Sequence, residues 1–547
     1  MSKGWWERIP SEHSIGARRL RPVRKGVPVP KRLMASVLES GSFAVSTKSD
    51  AWPKIHRPLL LLLGVATTAA WAEPIQELQS YLATKRESRS AIAATPFFRT
   101  PLTKAQALEA RDLLWKDQID YVTRTQKAAW DAGEFSLNGF KMPFKYKVFG
   151  TQPARGRALF ISMHGGGSTT PDVNDEQWSN QQLLYRPSEG VYLCPRAPTD
   201  TWNMWHQSHI DTLFERLIQA AVMFRAVDPN RVYVMGYSAG GDGAYQLAPR
   251  MADRWAAAAM MAGHPNDASP LSLRNIGMTL HVGALDAAYD RNLLVPQWGK
   301  TLDSFRRLDP GGYQNFAQVH AGKPHWMDQE DTVAVPWMMK FTRTPRPPRV
   351  VWKQDDVMHS RFYWLGAPPS QVRKGSLVVG SREGQSFRIE QSDLDTVMLF
   401  LDDSLADLDR PIEVQWASGP KIAVQPIRTI QDLWESLLSK TDKNYMFSAS
   451  IKVHPGMVAS NGIRSPTGFH SDFRVRRLGA SGTFEYTLPV HVPFARITVL
   501  DAQGGLVGST QTNRASGTID LAPTKSGIHF VHVQSGSTRF AVPLVIR

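Results

Sequence analysis

Cysteine is nearly absent from this 547-residue chain, with Cys194 standing alone. One thiol closes no internal disulfide, so stability has to come from buried apolar cores. Metal-ligand spacings are missing too. Neither H-E-x-x-H nor paired C-x-x-C occurs, so no metal site and no cofactor is expected. Acidic residues are in deficit: 49 Asp/Glu face 64 Lys/Arg, for a net charge of +15. Residues 1–57 hold twelve of those bases against four acids, more than half of the excess. The rest has no Arg-rich stripe interleaved with aromatics, which argues against a nucleic-acid partner.

The basic leader has its own explanation. Lys54-Ile55-His56-Arg57 precedes the apolar run from Pro58 to Ala66, and Ala70-Trp71-Ala72 follows just before Glu73. A positive n-region, a short h-region (about 58–70) and an Ala-x-Ala site make a secretory signal peptide cleaved after Ala72. The run is too short to cross a bilayer, so the mature protein is expected to have no transmembrane span. Residues 1–33 then read as an upstream mis-start, with Met34 as the initiator. The expected location is secreted, periplasmic or on the cell surface.

What is there is dominated by one pentapeptide, Gly236-Tyr237-Ser238-Ala239-Gly240, directly behind the apolar run Val232–Met235. A strand that ends in a turn too sharp for flanking side chains, followed by a helix, lifts Ser238 to the top of a nucleophile elbow. Upstream, the strand-like Ala158–Met163 runs into His164-Gly165-Gly166-Gly167. Glycine backbone there can turn N–H groups toward one point, as an oxyanion demands. Gly165 or Gly166 would supply one donor and the N–H of Ala239 the other. Downstream, Met278–Gly283 reads as a third strand, with Asp286 in the loop behind it and Asp290 as its competitor. His325 follows in Ala321-Gly322-Lys323-Pro324-His325-Trp326, behind a strand from Phe316 to His320; His320 itself is the weaker choice of base. The order Ser, Asp, His suits two-step acyl transfer. Ser238 attacks, His325 moves the proton and Asp286 orients the imidazole.

The loop Ala197–His206 is dense in aromatics. Trp202 and Trp205, with Trp326, either stack on a sugar or aromatic group of a substrate or pack the loop onto the domain. Asp242 suits a local structural role.

With these motifs in place, the stretch from about Lys145 to Arg343 resembles an α/β-hydrolase domain, on the side of the esterases, dienelactone hydrolases and prolyl oligopeptidases. The approach Val227-Asp228-Pro229-Asn230-Arg231-Val232-Tyr233-Val234 into Gly-Tyr-Ser-Ala-Gly-Gly carries the likeness. The resemblance implies a doubly wound, mostly parallel sheet. The chain departs from the secreted lipases in having no apolar lid segment. It departs from the large prolyl oligopeptidases in having no propeller-sized stretch ahead of the motifs, which speaks against a peptidase.

Around that domain (145–343) the chain divides further. The leader occupies 1–72, and a helical segment is expected over 73–144, opened by Thr103 as N-cap, with Leu108, Trp115, Ile119 and Val122 on one apolar face packed against the hydrolase domain. Thr344-Pro345-Arg346-Pro347-Pro348 is a stiff linker. A β-rich domain (344–480) follows, with strands expected at Val350–Trp352, Arg361–Leu365, Val397–Leu401 and Ile412–Trp416, and a helix near Ile430–Leu438. The last unit (481–547) reads as a small β-sandwich in which Val542-Pro543-Leu544 breaks the closing strand. Ile497–Gly505 and Ser526–Val533 resemble the C-terminal sorting domains of Por-type secretion systems, with His529 where Tyr is usual, which would make export machinery a partner; a plain immunoglobulin-like accessory domain fits equally well.

The sequence thus leads to an exported serine hydrolase, a carboxylesterase acting on a small-molecule or polysaccharide ester. The alternatives are a serine peptidase of prolyl oligopeptidase type and a non-catalytic carbohydrate-binding or surface protein with a vestigial hydrolase domain.

Overall fold

The computed structural model describes residues 74–457 without a break and, beyond them, 474–478, 483–488, 495–500, 506–512, 514, 516–520, 527–535 and 538–546. The expected leader, its h-region and the expected cleavage site after Ala72 lie outside the described residues. Among the described residues no helix is long and apolar enough to cross a membrane.

Two helices open the described chain, α1 (Pro74–Ala83) and α2 (Lys104–Ala132). Thr103 caps α2 through a reciprocal pair: the Gln106 N–H donates to Thr103 Oγ1 (3.2 Å) and the Thr103 N–H donates to Gln106 Oε1 (2.9 Å). Such a box satisfies two of the donors that every helix start leaves open. The buried face of α2 differs from the expected one. It consists of Ala107, Ala110, Leu114, Gln118, Val122 and Trp130, while Leu108 and Ile119 are exposed. Small alanines let α2 approach its neighbours closely, and the larger side chains one position on are turned outward.

The helical pattern stops at Gly133, short of the expected Lys145. β1 (Glu134–Leu137) and β2 (Phe140–Phe149) form a hairpin closed by Asn138 and Gly139, both at positive φ (50° and 86°). Asn-Gly is the preferred two-residue hairpin turn, because both positions need that backbone.

The hairpin extends a sheet of eight strands. The others are β3 (Arg157–Met163), β4 (Gly190–Pro195), β5 (Val227–Tyr237), β6 (Ala257–Met261), β7 (Gly277–Gly283) and β8 (Asn315–His320), in the order β1-β2-β4-β3-β5-β6-β7-β8. From β4 to β8 every pairing is parallel. The intervening helices are α3 (Pro171–Leu184), α4 (Ser208–Arg225), α5 (Ala239–Arg250) and α6 (Arg291–Leu308), with α7 (Ala334–Met338) after β8. Successive residues of a strand face opposite sides, and here both sides are buried. Leu159, Ile161 and Met163 join residues of α4 and α5 in one apolar cluster; Ala158 and Phe160 join Cys194, Tyr233 and the α7 residues Ala334, Val335 and Met338 in another.

After the linker come β9 (Arg349–Lys353), β10 (Arg361–Phe362), β11 (Leu365–Gly366), β12 (Leu377–Glu383), β13 (Ser386–Ser392), β14 (Val397–Leu401), β15 (Ile412–Trp416), β16 (Lys421–Val424), α8 (Ile430–Lys440) and β17 (Ala449–Val453). They build a five-stranded and a four-stranded sheet. Arg361–Leu365 is a tight hairpin rather than one strand. Tyr363 takes φ 52°, so the chain reverses between Phe362 and Leu365, and the buried Tyr363 hydroxyl donates to Ala252 O at 2.8 Å. The apolar cluster of the large sheet runs on into Val350, Trp352, Trp364, Val397 and Ile412 without interruption. α1 and α2 pack on α8 as well, through Ile75, Leu78 and Leu114 against Ile430, Trp434 and Leu437.

The remaining described strands are β18 (Arg474–Leu478), β19 (Thr483–Thr487), β20 (Ala495–Leu500), β21 (Leu506–Thr512), β22 (Ser516–Asp520), β23 (Gly527–Ser535) and β24 (Thr538–Ile546). They form sheets β18-β19-β22 and β21-β20-β23-β24 around Phe484, Tyr486, Ile497, Val499, Val531 and Val533. β18 belongs to this unit although it lies ahead of residue 481. β24 is not broken at Pro543, which pairs opposite Phe530. It is an edge strand, where a missing N–H is tolerated.

Candidate active site

Ser238 stands between β5 and α5 with φ 57° and ψ −121°, a conformation an L-residue adopts only under constraint. The flanking glycines explain how. A Cβ on Gly236 would lie 2.1 Å from Gly240 O, and one on Gly240 would lie 2.2 Å from Met163 O. The turn therefore closes only with bare backbone at both positions. The Ser238 N–H donates to Met261 O (2.9 Å), which fixes the elbow to the end of β6.

His325 presents Nε2 to Ser238 Oγ at 3.0 Å and Nδ1 to Asp286 Oδ2 at 2.8 Å. The imidazole side chain is one-quarter exposed, whereas that of Asp286 is buried to 1 %. Asp286 sits just past β7, its N–H donating to Gly283 O (3.1 Å). Its second oxygen faces the Arg291 guanidinium at 3.4 Å. Asp290 has a different place: it stands in the left-handed region (φ 56°) immediately before α6, with its N–H directed to Ala287 O. His320 is buried at the end of β8, bonded to His281 (3.1 Å) and Glu330 (3.2 Å). That pair was not anticipated, because the partners are 39 residues apart and neither lies in a motif.

The glycine run lies against the serine. A Cβ on Gly165 would come within 3.1 Å of Ser238 Cβ. Gly166 and Gly167 both have positive φ (102° and 83°). Ala239 opens α5, so its N–H is among the first four of the helix and has no intrahelical acceptor. Two supports hold the run. The buried Asn174 of α3 accepts the Gly167 N–H at 2.8 Å and donates to Asp200 at 2.9 Å. His164 donates through Nδ1 to Gly165 O (2.6 Å) and accepts the Ala197 N–H at Nε2 (3.1 Å), a pattern that requires the neutral ring. Burial pushes that imidazole down to about 3. Asn174 carries no motif; its only sequence signal is a polar residue on the inward face of a helix.

The three tryptophans part ways. Trp205 is 1 % exposed and donates Nε1–H to His164 O at 3.0 Å. Of the two roles open to it, Trp205 takes the packing one, because its buried ring has almost no surface left to touch a substrate. Trp326 packs on Tyr237 with ring centroids 5.7 Å apart. Trp202 is 57 % exposed, and its Cα would lie 3.3 Å from a Cβ on Gly167. Asp242 accepts the His264 N–H at 2.6 Å, and burial raises its carboxyl above the ordinary range. Among the described residues no group of His, Cys, Asp or Glu is arranged to hold a metal ion.

No family model matches the chain, and no curated protein does. Solved structures with a partial likeness include a thermostable esterase (17 % identity, TM-score 0.30, 38 % of this chain and 62 % of that one). This chain therefore spans less than two thirds of that esterase. Another is a mutant feruloyl esterase module from Clostridium thermocellum complexed with sinapinate (15 %, TM-score 0.29, 38 % and 86 %). A third is S-formylglutathione hydrolase from Staphylococcus aureus (13 %, TM-score 0.25, 38 % and 94 %).

Proposed function

We propose that this chain is a serine hydrolase of the α/β-hydrolase type, with a doubly wound catalytic sheet, and that it cleaves a carboxylic ester. One observation carries the reading: a single imidazole within hydrogen-bond reach of both the Ser238 hydroxyl and the Asp286 carboxylate.

The chemistry follows from that contact. His325 Nδ1–H is held by Asp286, so Nε2 offers its lone pair to the Ser238 proton. As Oγ attacks the ester carbonyl, the proton passes to Nε2, and the buried carboxylate stabilises the imidazolium. The new alkoxide draws on the backbone N–H groups of Gly165 or Gly166 and Ala239, reinforced by the positive end of α5. Collapse expels the alcohol, which takes the proton from His325. Water repeats the cycle on the acyl-enzyme and frees Ser238. Trp202, exposed beside the glycine run, would bear on the alcohol or acyl group, and a flat aromatic or sugar surface suits it.

The test is fluorophosphonate labelling with peptide mapping, alongside turnover of p-nitrophenyl acetate. Label on Ser238, ester turnover and loss of both in Ser238→Ala are the expected results. An unlabelled protein without turnover would leave the binding-protein alternative, and cleavage of peptide amides in preference to esters would favour a peptidase.

A further inference from the structure

Tyr237 fills the first variable position of the pentapeptide, next to the proposed nucleophile, and its ring is buried at 2 % exposure. Its side chain reaches the histidine loop. The hydroxyl donates to the carbonyl of His325 at 2.7 Å and accepts the N–H of Met327 at 3.0 Å. One phenol oxygen thus bridges the residue that carries the base and the residue two further on. Burial, first of all, and the nearby Asp331 charge hold the phenol well above its ordinary range, so it keeps the proton it donates.

We propose that Tyr237 is a positioning residue that locks the His325 loop to the nucleophile turn, so that base and nucleophile hang from adjacent links of one backbone. The role rests on the serine-hydrolase reading. The loop has other backbone attachments: the Lys323 N–H donates to His320 O (3.3 Å), the Leu285 N–H donates to Lys323 O (2.9 Å), and the Glu330 N–H donates to Met327 O (3.0 Å). None of these engages the His325 carbonyl or the Met327 amide. Without the hydroxyl, the His325 carbonyl and the Met327 amide lose this shared partner, and the imidazole, still held at Nδ1 by Asp286, loses the tie that fixes its backbone for the 3.0 Å contact with Ser238. Misplacement of a reacting group by about 1 Å costs on the order of 10²-fold in rate.

The experiment is Tyr237→Phe in the full chain, which keeps the ring and removes only the oxygen. Two readouts are needed: kcat on p-nitrophenyl acetate per fluorophosphonate-titrated serine, and hydrogen exchange of the Met327 amide. The expected result is a fall in kcat of about 10²-fold, a KM within about twofold, and faster exchange at Met327. Unchanged exchange would overturn the lock. Faster exchange with wild-type kcat per titrated site would overturn the positioning role. A merely structural role would lower the number of titrated sites and leave kcat per site intact, which also overturns it. If the wild-type chain neither labels nor turns over, the hydrolase reading fails and takes the positioning role with it, while exchange at Met327 still reports whether the hydroxyl holds the loop.

Discussion

Arg254 and Asp442 are 188 positions apart and pair at 3.1 Å with both side chains buried. The same carboxylate meets Arg343 at 2.5 Å, and Lys440 meets Asp253 at 2.9 Å. Charges are costly to bury and are tolerated only when matched. Here they are matched across the junction between the large sheet and the β-rich segment behind it. Asp442→Ala leaves two arginines without their shared counter-ion, so a loss of about 3–5 kcal/mol is expected. Equilibrium denaturation measures it, and a loss below about 1 kcal/mol would place the network in water-like surroundings.

Asp286→Asn keeps the shape of the acid but removes the charge that holds His325 in its useful tautomer. A fall in kcat of about 10⁴-fold is expected. Asp290→Asn should stay within a few-fold of the parent. The reverse ranking in ester turnover would transfer the role to Asp290.

Gly166 has φ 102°, and a Cβ there would stand 2.2 Å from Asn174 Oδ1. Gly166→Ala therefore breaks the brace that Asn174 gives the glycine run beside Ser238. Loss of one oxyanion donor predicts a kcat about 10²–10³-fold lower. Gly311 also has positive φ (94°) but open space around its Cα. Gly311→Ala serves as the control, destabilised by about 1 kcal/mol with kcat unchanged.

Two buried imidazoles make stability depend on pH. Burial holds His164 down at about 3, and burial together with the His320 charge does the same for His281. In the unfolded chain both titrate near 6.5. Between those values the unfolded state binds more protons, so protons favour unfolding. The full contribution is present above about pH 6.5 and is lost as pH falls toward about 3. Each group contributes a slope of up to ~1.4 kcal/mol per pH unit. Urea midpoints should be flat above neutrality and fall steadily through pH 6 to 4. His164→Gln should flatten part of that decline.

The features legible in the sequence were those the local backbone imposes. The glycines around Ser238, the Thr103 cap and the β5 run each announce a geometry within a few residues. Long-range contacts left no such trace. Arg361–Leu365 has the composition of a strand because a buried turn favours the same aromatic residues; only the docking of Tyr363 on Ala252 bends it. The buried face of α2 escapes a reading by hydrophobicity because alanines carry little hydrophobic signal yet allow the closest approach. The Asn138-Gly139 turn, by contrast, is a readable hairpin signal inside the segment whose pattern predicts helix. In the candidate site, Ser238, Asp286 and His325 were nameable in chain order. The reach of the Tyr237 hydroxyl and the brace from Asn174 depend on how distant segments fold against one another.

Cys194 lies near the C-terminal end of β4, 1 % exposed, and burial raises its thiol to about 12. Only the thiolate reacts with oxidants or disulfides, so the folded chain offers them almost nothing to attack, and it has no crosslink for a reductant to open. Thiol–disulfide chemistry therefore leaves the folded chain unchanged, whether its surroundings are reducing or oxidising.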